Sequence, residues 1–106
     1  MISVEFFTTE AGELTGFQIR GHAGGVAGQD IVCAAVSSAA YMAANTITEI
    51  LHVDASVAAM EEGEMYLRIP KRDILLCRDI LAGLKLHLLA LEEQYPKNIQ
   101  VNYTEV

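Results

Sequence analysis

The sequence predicts an α+β fold, ordered ββαββαβ, in which a mostly antiparallel sheet packs with two long helices. Three observations predict it. Short runs rich in β-formers come in two pairs, each joined by a turn signal. A long, uncharged, alanine-rich run follows the first pair. A stripe of leucines at three- and four-residue spacing follows the second.

The first run, Ile2 to Thr8, holds Ile, Val, Phe, Phe and Thr, the residue types that suit a pleated surface. Glu10-Ala11-Gly12 carries the turn. Leu14 to Gly21 then alternates, with Leu14, Gly16, Gln18 and Arg20 on one face and Thr15, Phe17 and Ile19 on the other. A glycine-rich stretch, Gly21 to Gln29, is expected to be a mobile loop because glycine loses the most backbone entropy on ordering. Asp30 reads as the N-cap of a helix from Ile31 to about Leu51. Its residues carry no charge from Ile31 to Thr48, so it is expected to be covered on nearly all sides, with help from a second copy of the chain. The run includes Ser37, Ser38, Asn45, Thr46 and Thr48, which favours a buried helix over a membrane span.

Ser56 to Glu61 and Glu64 to Ile69 read as a second hairpin around Glu62-Gly63, and Pro70 stops it. Asp73 is the expected cap of a helix from Ile74 to about Gln94, with Ile74, Cys77, Leu81, Leu84, Leu88 and Leu91 facing the core. Pro96 follows its end. Asn98 to Thr104 is the last strand, with Ile99, Val101 and Tyr103 on one face.

A chain of 106 residues fits one domain, 1–106. Seven Lys and Arg against fourteen Asp and Glu give a net charge of -7. That balance disfavours direct nucleic-acid binding, which needs a basic face, and favours basic partners. Two cysteines are too few for a secreted disulfide scaffold, and the N-terminus lacks a signal-peptide pattern. A reducing, cytoplasmic setting is therefore expected. No cofactor is expected. The glycine stretch lacks the Gly-Lys-Ser/Thr ending of a P-loop, no Cys/His set has zinc-like spacing, and His52 and His87 lack metal-binding partners in the sequence.

The chemistry-bearing stretch is Gly21-His22, the glycine loop, then Asp30-Ile31-Val32-Cys33. With Asp30 as N-cap, Cys33 falls in the first helical turn, where unpaired N–H groups favour a thiolate. A free thiol, with a pKa of about 8.5, is only about 3% ionised at pH 7, and ionising most of it takes roughly 2.7 kcal/mol. A helix end supplies about 0.5 to 2 kcal/mol. The remainder requires a cation, and His22, at the mouth of the same loop, is the candidate. A Cys–His pair is the minimal nucleophile and general acid for acyl transfer. Asp30 either caps the helix or orients His22 as the third member of a triad. Ser37, one turn beyond Cys33, either donates to a developing oxyanion or serves as a small residue in a tight contact. Gly24, Gly25 and Gly28 lie in the loop that would close over a substrate. Cys77 lies in the apolar stripe and reads as core.

The motif Gly21-His22-Ala23, a glycine-bearing loop, then Gly28-Gln29-Asp30-Ile31-Val32-Cys33-Ala34-Ala35-Val36-Ser37, resembles the ribosomal-processing cysteine protease family, Prp. The likeness extends over nearly the whole chain, though the segment between His22 and Cys33 is slightly shorter than in some relatives. The resemblance implies a cytoplasmic endopeptidase of Firmicutes and related bacteria. It implies Cys33 as nucleophile and His22 as general base, with Asp30 and Ser37 in the same motif. It further implies a homodimer that cleaves after an aromatic residue and removes the short N-terminal tail of a large-subunit ribosomal protein of the L27 type. Two other classes fit the residues alone: a non-catalytic acidic dimer that assists assembly of a basic ribosomal protein, and a thiol-dependent hydrolase of small esters. Fast alkylation of Cys33 at pH 6–7 separates catalysis from mere packing.

Overall fold

The computed structural model describes residues 1–21, 29–59 and 64–106, the side chains of Gln29 and Asp30 excepted. Strands β1 (Ile2–Thr8) and β2 (Leu14–Arg20) form the first hairpin. Its turn is closed by hydrogen bonds from the Gly12 N–H to the Thr9 carbonyl and from the Thr9 N–H to the Glu13 carbonyl, both 2.9 Å. Helix α1 (Gln29–Asn45) follows and unwinds into a π-helical turn over Thr46–Ile50. The Thr46 and Thr48 hydroxyls donate back to the carbonyls of Met42 and Ala44, and this competition with the backbone ladder accompanies the unwinding. Strands β3 (Ser56–Ala58) and β4 (Met65–Arg68) come next, then a 3-10 turn over Lys71–Asp73, helix α2 (Ile74–Gln94) and strand β5 (Ile99–Glu105).

The five strands form one sheet in the order β3-β4-β2-β1-β5. Three of its four pairings are antiparallel, and β1 with β5 is parallel. The parallel pair follows from the connection: α2 carries the chain back across the sheet before β5 begins. Both helices pack on one face, against Val4, Phe6, Phe17, Ile19 and Leu67. The arrangement is two-layered. The opposite face carries Ser3, Glu5, Gln18, Arg20 and Asn102 around a shallow concavity, with Phe7 and Tyr66 in ring contact at 5.6 Å.

Several expectations are adjusted by the structure. The helix expected to begin after Asp30 already includes Gln29 and Asp30, so Asp30 occupies the first turn and is not the cap. An acidic residue is favoured there by the same N-terminal field that favours it at the cap. β2 ends at Arg20, because Gly21 turns the chain with φ +90. β3 stops at Ala58, short of the expected Glu61, and the Glu62-Gly63 turn lies outside the described residues. Asp73 closes the 3-10 turn and makes no side-chain capping bond to α2; its carboxylate lies 3.7 Å from Arg72 Nε. Of the last strand's expected inner face, Ile99 and Val101 are buried while Tyr103 is exposed. Tyr103 nonetheless stacks on Phe6 and receives the Lys85 ammonium over its ring at 5.4 Å. β5 is also held from the side: Val101 N–H donates to Glu92 Oε2 at 2.6 Å.

The uncharged helix departs furthest from expectation. Val32, Val36, Ala40, Ala43, Ala44 and Ile47 are buried, but Ile31 is 65% exposed and Met42 54%. A shallow apolar groove of about 560 Å³ between α1 and α2 adjoins this face, lined among others by Ala35, Ala39, Met42, Ile80, Gly83 and His87.

Gly16 lets β2 and β4 approach. A methyl group there would collide with the Leu67 carbonyl oxygen, and its φ of +156 lies outside the range L-residues favour. Gly16→Ala is expected to destabilise the fold by roughly 2 kcal/mol or more, read as a lower urea midpoint at unchanged slope.

Candidate active site

Three neighbouring elements build the site. β2 delivers the chain to Gly21, whose backbone lies so close to the Met1 carbonyl that a Cβ would clash with it. This contact and the positive φ fix the departure of the chain immediately before His22. α1 supplies Cys33 and Ser37 from its second and third turns. β4 lies beside β2 with Met65 paired to Ile19, two residues before Gly21.

Cys33 is half-buried and packs against the core, and neither cysteine is in a disulfide. With α1 starting at Gln29, Cys33 is its fifth residue and lies one position beyond the first turn. Helical side chains lean toward the N-terminus, so the thiol covers the turn whose N–H groups have no intrahelical acceptor. The structure thus shifts the expected register of Cys33 by two residues, because α1 begins at Gln29 and not at Ile31.

Ser37 is half-buried one turn further on. It lines a narrow cleft of about 20 Å³ together with Ile19, Ala40, Tyr41, Glu64 and Met65. Positions 33, 37 and 41 share one flank of α1 at four-residue spacing. Tyr41 and Glu64 escaped the sequence reading. For Tyr41 a signal existed, since it follows Ser37 by one turn. For Glu64 none did, because its place depends on the β2–β4 pairing.

His22, Gly24, Gly25 and Gly28 lie outside the described residues, as does the side chain of Asp30. The structure therefore brings Cys33 and Ser37 together on one helix flank beside the end of the strand that leads to His22. Among the described residues, no group of three or more His, Cys, Asp and Glu is arranged to hold a metal ion. Cys77 is buried at the α2–sheet contact. Burial first, and then the nearby Asp73 carboxylate, push its thiol above the ordinary value. A neutral, enclosed sulfur is a core residue, in agreement with the sequence reading.

The fold and site define an α+β domain with a half-exposed cysteine near the start of its central helix. The family model of the cysteine protease Prp matches residues 1–100. The chain belongs to the Prp family of cysteine proteases. Its fold is similar to the ribosomal processing protease Prp of S. aureus in complex with a substrate peptide, with a TM-score of 0.87 and 27% identity over 98% of this chain and 100% of that one. The same protease with a covalently linked product peptide matches equally. SMU.848 from Streptococcus mutans is similar at TM-score 0.82 and 25% identity, over 100% of this chain and 96% of that one. No curated protein sequence matches the chain.

The contrast between the two sulfurs is measurable. In the native protein a thiol reagent is expected to modify Cys33 rapidly at pH 6–7, with Cys77 reacting only after denaturation. Equal native rates would contradict the assignment of Cys77 to the core.

Proposed function

We propose that this protease is an endopeptidase that removes a short N-terminal extension from a large-subunit ribosomal protein of the bacterial L27 type. The observation that carries the reading is the family match over nearly the whole chain. The likeness to a processing protease bound to a substrate peptide supports it. The net charge of -7 suits a basic ribosomal substrate.

In this reading the Cys33 thiolate attacks the carbonyl carbon that follows an aromatic substrate residue. Backbone N–H groups at the start of α1, with the Ser37 hydroxyl, stabilise the oxyanion. His22 gives its proton to the leaving amine as the C–N bond breaks, leaving a thioester. It then takes a proton from water, the hydroxide adds to the thioester, and the C–S bond breaks to release the acid and restore the thiolate. Asp30 holds His22 in the orientation this requires. The stretch with Gly24, Gly25 and Gly28 folds over the peptide and assembles the pair when substrate is present.

The protein acts in the cytoplasm, without a cofactor, as a homodimer. The uncharged outer face of α1, with Ile31 and Met42 exposed, supports the second copy. Two chains that each carry a charge of -7 meet with least repulsion where neither presents a charge.

Cys33→Ala and His22→Ala are each expected to abolish cleavage of a peptide spanning the extension, by about a thousandfold or more, with unchanged circular dichroism. Alanine at Gly24 and Gly25 should slow turnover. Normal cleavage by either single variant would refute the pair. Light scattering checks the dimer: Met42→Glu should halve the measured mass, whereas a mass already that of one chain in the unmodified protein would exclude it.

A further inference from the structure

The cleft beside Ser37 holds one carboxylate, Glu64, among its lining residues; the rest are Ile19, Ser37, Ala40, Tyr41 and Met65. Glu64 is half-buried and forms no ion pair among the described residues. Arg20, next along β2 from Ile19, instead lines the concavity on the open face of the sheet. A carboxylate at the rim of a binding cleft attracts a cation on the arriving peptide. Its position matches the chemistry next door. Ser37 lies four residues after Cys33, about 6 Å along the helix axis at roughly 1.5 Å per residue. An extended peptide advances about 3.3 Å per residue. For a peptide lying along α1, the cleft is about two substrate residues from the carbonyl that Cys33 attacks.

We infer that Glu64 is a specificity residue of the protease: it selects a substrate that carries a lysine or arginine about two residues from the scissile bond. This inference rests on the proposed proteolysis at Cys33 and names a determinant within it. Glu64 does not touch the reacting atoms. It acts by attracting a charge on the substrate, so its effect depends on the sign of that charge.

The test uses the full chain and a set of peptides with the aromatic cleavage site. At each of the three positions on either side of the bond, one residue is varied among lysine, norleucine and glutamate. In the unmodified protein one position should prefer lysine over glutamate by about tenfold in kcat/KM, the effect of one charge-assisted hydrogen bond. Glu64→Gln should erase that preference at the same position. Glu64→Lys should invert it, which an improperly folded variant cannot do. Cleavage indifferent to charge at all six positions, or a lysine preference that persists in Glu64→Gln, overturns the role of Glu64 and leaves the protease reading standing. Failure of the unmodified protein to cleave any peptide overturns both.

Discussion

Buried side chains set the rotation of α1 about its own axis: Val32, Val36, Ala40, Ala43 and Ala44, continued by Ile47 in the π-helical turn. They meet the inner residues of β1, β2 and β4 in a shared core. Each residue of a helix is turned about 100° from the last. A slip of one position would carry Cys33 either into the core or to the outer face of the helix. The packing of aliphatic side chains thus decides where the sulfur lies, and the position of Ser37 and Tyr41 follows from the same constraint. Because interiors are close-packed, this rotation is a discrete choice and not a continuum.

Much of this arrangement was legible in the sequence. β1 was bounded at Ile2 and Thr8 because its β-formers run up to a turn. The α2 stripe was legible because leucines at three- and four-residue spacing admit one helical face, and Cys77, Leu81, Leu84 and Leu88 occupy it. Other features depend on long-range pairing. Nothing local in Asn98 to Thr104 announces that it lies parallel to β1. The first turn of α1 was misplaced by two residues, because Gln29 carries no start signal while Asp30 carries a strong one. At the site, four-residue spacing places Cys33 and Ser37 on one flank of α1, whereas the place of Glu64 depends on the Ile19–Met65 pairing.

The uncharged run of α1 shows how composition can mislead about burial. The absence of charge predicts enclosure on all sides, but one chain encloses only the flank that meets the sheet and α2. Alanine and serine make this tolerable, since small side chains expose little apolar area each. The cost falls on Ile31, Tyr41 and Met42, which stay in contact with solvent in the single chain. The two sulfurs illustrate a related distinction. Cys77 and Cys33 are chemically alike, yet one is sealed beside a carboxylate and the other is half-open near a helix start.

The bond from Val101 to Glu92 bears on how the molecule behaves at high concentration. β5 ends the sheet, and a terminal strand offers its outward amides as a template for a foreign strand. Here α2 lends a carboxylate that occupies one of those amides and lays a negative charge along the rim. An incoming strand must displace that oxygen and bring its own carbonyl up to an anion, so stacking of molecules rim to rim into fibres is disfavoured at this end.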